Sequence, residues 1–395
     1  MHVLIIPSWF PAKYTPTSGL YFYDQLNALQ QAGHQVGVVY PEHHSVRHAS
    51  STALVTHHFQ SRWSVEHGIP VLRKHSWNVR SRLQGTYAAR IRDAEQLAER
   101  YAATFGRPDV VHAMSTQWAG EAAARVASAW NRPMALTEHF SGFARESLFP
   151  EQQTFARKAF ARANAIAAVS PHLRTTLDRQ GWCDASRIAL IPNPIDCTFF
   201  RPPPTRPKQP PLICTAIGRL VPEKGFDLLL HAMANAFSRD AQVELHIGGE
   251  GPEENALRTL AARLGINAQV TFHGRLSRSE VRNLLQQAHL FVLPSRHETF
   301  GLVIPEALAT GCPVLATRCG GPEYTMTEET GLLVAPDSVT ALAQGLRTVT
   351  SRLNMYSAQT MRDVACNRFG AATFTERTVS MYREAARSFS SGYIK

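Results

Sequence analysis

The sequence has no run of about 18 apolar residues, so it predicts no helix that spans a membrane. The longest candidate, residues 299–317, is interrupted by Glu306 and two prolines. At the N-terminus the apolar stretch 3–6 ends at Pro7, which makes it too short for the apolar region of a signal peptide. We therefore expect a cytoplasmic protein.

Motifs for several kinds of chemistry are also missing. None of the six cysteines lies in a Cys-x-x-Cys pair, so neither a zinc site nor a redox motif is indicated, and reduced thiols are expected. Gly-x-Gly-x-x-Gly and Gly-x-x-x-x-Gly-Lys-Ser/Thr are absent, which argues against nicotinamide binding and a P-loop. Five histidines between positions 43 and 58 lack carboxylates at fitting offsets, so we expect a surface loop without metal there.

The chain does have an excess of positive charge. The net charge is +10 at pH 7, and residues 1–205 hold 21 Lys and Arg against 14 Asp and Glu. A basic N-terminal half favours an anionic partner such as phosphate, nucleic acid or a lipid surface. With 44% hydrophobic and 18% charged residues, the composition excludes a disordered, collagenous or coiled-coil protein.

Apolar strands alternate with helical patterns along the first 200 residues, which predicts a parallel sheet covered on both faces. The predicted strands are 3–6, 36–39, 110–112, 134–137, 166–169 and 188–191, and the predicted helices are 19–32, 117–130 and 151–163. Gly33 follows the first helix, where a glycine commonly ends a helix.

A proline-rich segment then interrupts this pattern. Six of the twelve residues 200–211 are proline, which is incompatible with a helix or a central strand, so we predict a linker at 201–211. The alternation resumes with strands 212–217, 243–247, 270–272, 290–293 and 314–316 and helices 226–237, 252–264, 277–288 and 301–310.

The fold class that follows is α/β, with two doubly wound, Rossmann-like domains that face each other across a cleft. The domains are residues 1–200 and 212–370. The segment 362–387 is also helical by pattern, and we expect residues 371–395 to pack back on the N-terminal domain. In such folds ligands bind at the carboxyl ends of the strands.

One segment does not fit the alternation. Residues 73–92, which begin at Arg73 and end at Arg92, hold six Lys and Arg, no acidic residue and several large apolar side chains. Two interpretations stay open here: a solvated helix face, and a patch that binds anionic lipid at a membrane surface.

Two cations follow the first strand of the second half. The sequence GRLVPEKG at 218–225 places Arg219 and Lys224 between a strand end and a helix start. Glycines at a helix N-terminus bind anions, and an Arg with a Lys suits a diphosphate. Taken alone, the pair is equally consistent with ordinary surface cations.

A second candidate element, ETFGLVIPE, carries Glu298 and Glu306. Glu298 lies in a loop after a strand, and residues 299–302 open a helix whose first N–H groups lack helical partners. Glu306 lies inside an apolar run, and a buried carboxylate requires a partner. A ribose diol offers two hydroxyl donors to one carboxylate, so this position favours a nucleotide.

The first half offers two candidates at strand ends. Gly19 precedes a helix after strand 3–6, and His139 follows strand 134–137. For His139, a structural histidine and a ligand-binding histidine remain equally open.

Together these motifs resemble glycosyltransferase family 4, the retaining sugar-nucleotide enzymes of GT-B architecture, over nearly the whole chain. The Glu-x7-Glu element from Glu298 to Glu306 is the most specific match. The other matches, in chain order, are Gly33-His34-x-Val36, Pro192-Asn193-Pro194-Ile195-Asp196, Gly218-Arg219-Leu220 with Glu223-Lys224-Gly225, Gly249-x-Gly251-Pro252, and Gly320-Gly321 with Glu323.

The resemblance implies a role for each matching position. In the second half, the diphosphate of the donor would contact Arg219 and Lys224, and its phosphate oxygens would contact the backbone N–H groups of Phe300, Gly301 and Leu302. The ribose would contact Glu306, and the donor sugar would contact Glu298. Arg275 would lie near the base. From the first half, His139 would reach a sugar hydroxyl and Gly19 would approach the phosphates. His139, Arg219, Lys224 and Glu298 form the implied catalytic set. The family often has two adjacent glycines where this chain has Ser18-Gly19, and Asn-Gly where it has Asn193-Pro194.

The implied reaction is metal-independent hexosyl transfer, with retention, from a UDP-, GDP- or ADP-sugar to a saccharide or lipid-linked saccharide. The opening residues resemble those of bacterial envelope-polysaccharide transferases, which implies a peripheral position at the inner face of the cytoplasmic membrane and no nucleic-acid partner. Two alternatives remain: a nucleotide-sugar 2-epimerase of similar architecture, and a non-catalytic binder of anionic surfaces.

Overall fold

The structure, a computed structural model, describes residues 1–13, 15–45, 59–78, 86–205 and 210–392. The chain divides into two units. Residues 1–194 and 372–395 form the first unit, and residues 195–371 form the second. The division therefore precedes the proline-rich segment, which groups with the second unit instead of marking the boundary. Phe200 is fully buried, and Nη1 of Arg362 donates to its carbonyl at 3.0 Å.

The first unit contains a sheet whose carboxyl edge carries two of the candidate residues. Its strands are β1 (His2–Pro7), β2 (Gln35–Ser45), β3 (Ser61–Glu66), β4 (Ile69–Asn78), β5 (Val110–Met114), β6 (Met134–Glu138), β7 (Ala165–Ala168) and β8 (Ile188–Leu190). Their order is β3-β4-β2-β1-β5-β6-β7-β8. All neighbours are parallel except β3 and β4, which are antiparallel.

Helices connect these strands in the manner the alternation predicts. The first unit has α1 (Tyr21–Gln31), α2 (Thr86–Phe105), α3 (Trp118–Trp130), α4 (Pro150–Arg162) and α5 (Pro171–Arg179). The central strand β1 is buried on both faces, with Val3, Leu4, Ile5 and Ile6 fully inaccessible. This burial explains why a short, uninterrupted apolar run encodes the strand.

The second unit contains a fully parallel six-stranded sheet in the order β11-β10-β9-β12-β13-β14. The strands are β9 (Leu212–Ile217), β10 (Val243–Gly248), β11 (Val270–Gly274), β12 (Leu290–Leu293), β13 (Val314–Thr317) and β14 (Gly331–Val334). The helices are α6 (Phe226–Ala236), α7 (Glu254–Leu264), α8 (Arg278–Gln287), α9 (Val303–Ala309), α10 (Pro322–Thr325), α11 (Val339–Thr350) and α12 (Ala358–Phe369). Two Rossmann-like sheets confirm the predicted fold class.

The last helix, α13 (Ala371–Ser390), belongs with the first unit. The helical pattern predicted one segment over 362–387, but the structure ends α12 at Phe369 and starts α13 after Gly370. Tyr382 of α13 is fully buried, and its hydroxyl lies 2.8 Å from Nδ1 of His112 on β5. A chain that leaves the first unit at Pro194 therefore returns to it at its end.

Of the two interpretations of residues 73–92, the one as a single solvated helix face is wrong. Residues 73–78 end strand β4 and residues 86–92 begin α2, while 79–85 lie outside the described residues. The guanidinium of Arg73 bonds Glu66 with Nε at 2.8 Å and Nη2 at 2.7 Å, and Nζ of Lys74 bonds Asp93 at 2.5 Å. Both cations are therefore paired with carboxylates of the same unit.

Two smaller expectations also need correction. His43 and His44 lie on β2, with His44 buried, so they are not in a surface loop; the other three histidines of that group fall outside the described residues. Cys197 and Cys366 form a disulfide with Cα atoms 6.0 Å apart, whereas reduced thiols were expected. Arg362 brings the two segments together, since its Nη2 donates to the Cys197 carbonyl at 2.8 Å.

Among the described residues, none of the helices combines the length and the apolar content that crossing a bilayer requires.

Candidate functional site

In the second unit, loops after three neighbouring strands meet around Glu298. Nζ of Lys224, which follows β9, lies 2.5 Å from Oε1 of Glu298, which follows β12. The Glu298 N–H donates to the carbonyl of Cys319 at 3.1 Å, and the Gly321 N–H donates to the carbonyl of Glu298 at 2.8 Å. Both partners follow β13. The structure thus brings the two predicted residues Lys224 and Glu298 into direct contact at the carboxyl edge of the sheet.

Arg219 lies in the same loop as Lys224 but projects toward solvent. Its side chain is 69% exposed, and Nη2 lies 3.7 Å from Oε1 of Glu223. A long, exposed ion pair of this kind contributes little to stability. The guanidinium can therefore turn toward an anionic ligand at small cost.

The residues after Glu298 form a tight turn into α9. Phe300 is buried, and its ring packs edge-to-face on Phe369 with centroids 5.6 Å apart. Gly301 follows, and Leu302 is the N-cap residue directly before α9. Glu306 lies in the first turn of that helix and is partly exposed between the buried Pro305 and Ala307. Its carboxylate is therefore more accessible than the apolar run predicted.

Arg275, expected beside a nucleobase, follows β11 at the same sheet edge. Its Nε donates to Oε1 of Glu250 at 2.7 Å, and both side chains are about half exposed (52% and 48%). Across the described part of the chain, no group of three or more His, Cys, Asp or Glu is arranged to hold a metal ion.

In the first unit, Gly19 lies where the chain passes close to two aromatic side chains. Its φ is +76°, and a Cβ there would lie 2.9 Å from the ring of Phe22 and 3.0 Å from that of Trp9. Only glycine adopts this backbone conformation without strain. The packing of Phe22 and Trp9 around this loop therefore accounts for the glycine at position 19.

His139 follows β6 and is buried, with only 8% of its surface exposed. Its ring packs against Tyr21 at 5.6 Å and against Phe22 at 5.2 Å. Neither imidazole nitrogen has a hydrogen-bond partner among the described residues. Buried polar groups are nearly always paired in folded proteins, so this imidazole is suited to bind a hydroxyl group of a ligand.

Glu138 holds the backbone around His139, and the sequence pattern predicted no role for it. The fully buried carboxylate accepts bonds from Oγ of Ser115 at 2.5 Å and from the N–H and Oγ1 of Thr116 at 2.9 and 2.6 Å. It also accepts from the N–H groups of His139 and Phe140, both at 2.8 Å. The donors come from two loops, so their convergence could not be read from local spacing.

Burial determines the protonation state of two histidines in this unit. It lowers the pKa of His139 to about 3, and repulsion from a protonated His112 would act in the same direction. Burial likewise lowers the pKa of His112 to about 3. Both imidazoles are therefore neutral at physiological pH, so His139 cannot supply a positive charge to a ligand.

These shifts predict a pH-dependent stability for the first unit. In the unfolded chain each histidine takes up a proton below about pH 6.5, whereas the folded chain leaves both neutral. The free energy of unfolding should therefore fall as the pH falls from 6.5 to 4.5, by about 1.4 kcal/mol per pH unit for each histidine. Urea unfolding at several pH values should show a shallower slope for His139→Gln than for the wild type. Equal slopes would contradict the burial of a neutral His139.

Two family models match consecutive parts of the chain. "Glycosyltransferase Family 4" matches residues 18–199, and "Glycosyl transferases group 1" matches residues 198–359. The putative teichuronic acid biosynthesis glycosyltransferase TuaC of Bacillus subtilis is 28% identical over 364 residues, which cover 88% of each chain. One subunit of the Homo sapiens phosphatidylinositol N-acetylglucosaminyltransferase is 30% identical over 198 residues, which cover 49% of this chain but 40% of that protein.

Solved structures show the same fold along nearly the full length. A sucrose-phosphate synthase from Thermosynechococcus elongatus superimposes with a TM-score of 0.77 at 20% identity, covering 97% of this chain and 99% of that one. Anabaena HepE, solved in complex with UDP and glucose, gives a TM-score of 0.70 at 21% identity, covering 96% and 98%.

The two family models, the relatives and the folds agree with one another and with the Glu298–Glu306 element. They support transfer of a glycosyl group, and neither the epimerase nor the non-catalytic binder gains support from them. The chain therefore belongs to glycosyltransferase family 4 and has the GT-B fold.

Proposed function

We propose that the protein transfers a hexosyl group from a nucleoside-diphosphate sugar to a saccharide or a lipid-linked saccharide, with retention of configuration and without a metal ion. The observation that carries this proposal is the contact between Lys224 and Glu298 beside the exposed Arg219. Two cations and a carboxylate at one sheet edge suit a diphosphate joined to a hydroxyl-rich sugar.

The charges of these residues support a role in departure of the leaving group. Negative charge develops on the diphosphate oxygens as the glycosidic bond breaks, and preplaced cations stabilise it. Arg219 and Lys224 would supply the positive charge that stabilises these oxygens, together with the N–H groups of Phe300, Gly301 and Leu302. Glu306 would bind the ribose, and Arg275 would lie near the base.

The sugar end of the donor would be bound by uncharged and acidic groups. Glu298 would accept hydrogen bonds from sugar hydroxyls once Lys224 turns to the diphosphate, and the role proposed for the neutral His139 is to bind a sugar hydroxyl. We assign no side-chain nucleophile. The acceptor hydroxyl would attack the sugar on the same face from which the diphosphate leaves, which retains the configuration. The leaving phosphate would accept the proton of that hydroxyl. HepE, solved with UDP and glucose, supports a uridine nucleotide as the first donor to test.

An envelope acceptor is the finer part of the proposal. The name of TuaC includes teichuronic acid biosynthesis, and the name of the human relative includes phosphatidylinositol. Both names support a polymer or lipid acceptor. We propose in addition that a peripheral enzyme reaches this acceptor at the inner face of a membrane.

The first test is thermal stabilisation by UDP, GDP and ADP, each with and without magnesium. A ligand at 100 times its Kd adds about 2.7 kcal/mol to the free energy of unfolding. One diphosphate should stabilise the wild type without magnesium, and Glu306→Ala should lose most of that shift. If none of the three stabilises the protein at millimolar concentration, the donor site is wrongly assigned; a shift that requires magnesium would contradict metal independence.

A further inference from the structure

Arg296, two residues before Glu298, ties together three segments of the second unit. Its guanidinium donates to both carboxylate oxygens of Asp227 at 2.9 and 2.8 Å, and Nε donates to Oδ1 of Asp337 at 2.7 Å. Nη1 also donates to the carbonyl of Pro222 at 2.6 Å. The backbone N–H of Arg296 donates to the carbonyl of Glu223 at 2.8 Å.

Most of these bonds reach the loop that carries Lys224. Pro222 and Glu223 directly precede Lys224 in the chain, and Asp227 lies in the first turn of α6. On the other side of Lys224, Gly225 has a φ of +64°, and a Cβ there would lie 2.1 Å from the carbonyl oxygen of Pro294. The backbone on each side of Lys224 therefore contacts the segment 294–296.

The geometry of the Arg296 pair suits a positioning role. The side chains of Arg296 and Asp227 are 25% and 41% exposed, but the two bonds to Asp227 and the third to Asp337 form a network instead of an isolated surface pair. Its hydrogen bonds to Asp227 raise the pKa of Arg296 above its ordinary value, so the guanidinium stays charged. The planar guanidinium binds a carboxylate through two parallel bonds, which a lysine cannot reproduce.

We propose that Arg296 is a positioning residue that holds residues 222–227 against residues 294–298, so that Lys224 keeps its place for the donor diphosphate. The inference rests on the proposed function. In the structure Lys224 pairs with Glu298, and binding of a diphosphate draws the ammonium away from that carboxylate. Arg296 keeps the backbone of the loop fixed while this exchange of partners takes place.

The test is a double-mutant cycle on binding of the nucleoside diphosphate that stabilises the wild type. Arg296→Gln should raise its Kd by about 10- to 100-fold, the scale of effect expected when a binding group is displaced by about 1 Å. Lys224→Ala should raise the Kd as well. Because Arg296 acts through Lys224, the Kd of the double variant should be at most about twofold higher than the Kd of Lys224→Ala.

Arg347→Gln is the matched control, since Nη1 of Arg347 also donates to a backbone carbonyl, that of Asn235, at 2.9 Å. It should leave the Kd unchanged. An unchanged Kd for Arg296→Gln overturns the proposal, and so do additive effects of the two substitutions.

Hydrogen exchange separates this inference from the proposed function. Amides of residues 219–225 should exchange faster in ligand-free Arg296→Gln than in the wild type or Arg347→Gln. If no diphosphate binds the wild type, the proposed function fails, yet faster exchange would still support the anchoring by Arg296. Unchanged exchange would refute that anchoring whatever the ligand.

Discussion

Replacing Lys224 by alanine is expected to lower kcat/KM for the donor by about 10²- to 10³-fold, the range found when one preplaced group that stabilises developing charge is removed. Nζ of Lys224 reaches the sugar-binding candidate Glu298 at 2.5 Å, so it lies within reach of a diphosphate linked to that sugar. Steady-state transfer with the nucleotide sugar identified by the stabilisation screen measures the loss.

Two comparisons make this result interpretable. Lys158→Ala removes an exposed lysine from α4 in the first unit and should leave kcat/KM within about twofold of the wild type. Lys224→Arg keeps the positive charge but not the compact ammonium, so it should retain more activity than the alanine variant. A loss of less than about threefold in Lys224→Ala would remove this residue from the donor site.

Replacing Tyr382 by alanine is expected to lower the free energy of unfolding of the first unit by about 3–5 kcal/mol, as for other large buried aromatic side chains. Its ring is fully buried, and it packs edge-to-face on His112 with centroids 5.4 Å apart. Tyr382→Phe should cost about 1–3 kcal/mol, because Nδ1 of His112 then loses its buried partner.

Hydrogen exchange can follow this effect in each unit separately. Amides of β5 and β6 should lose protection in Tyr382→Ala, whereas those of β9 and β12 should keep it. Arg387→Ala, an exposed change on the same helix, should alter stability by no more than about 0.5 kcal/mol. Equal loss of protection in both units would contradict the assignment of α13 to the first unit.

The central strands were predictable because they are buried on both faces. Such strands appear in the sequence as short apolar runs, as residues 3–6 of β1 and the whole of β12 illustrate. The hairpin of β3 and β4 was missed because β3 has no apolar run and the apolar start of β4, residues 69–72, is followed directly by charged and polar residues. Helix α11 was missed because the predicted alternation of the second domain stopped at β13.

The failures in the site have a common physical origin. The interpretation of residues 73–92 as a solvated helix face was wrong, because the ion pairs of Arg73 with Glu66 and of Lys74 with Asp93 could not be read from the local pattern. Arg296 escaped notice for the same reason, since Asp227 lies 69 positions away. Local spacing shows where a strand ends, and only the folded chain shows which loops then meet.

The position of α13 has a consequence for synthesis of the chain on the ribosome. The second unit is one continuous segment, residues 195–371, whereas the first unit needs residues from both sides of it. Domains generally fold as their residues emerge from the ribosome. All residues of the second unit are therefore synthesised before the last residues of the first unit. His112 can form its hydrogen bond with Tyr382 only after 270 further residues have been synthesised. Nascent chains stalled before α13 should thus contain a finished second unit beside an incomplete first one.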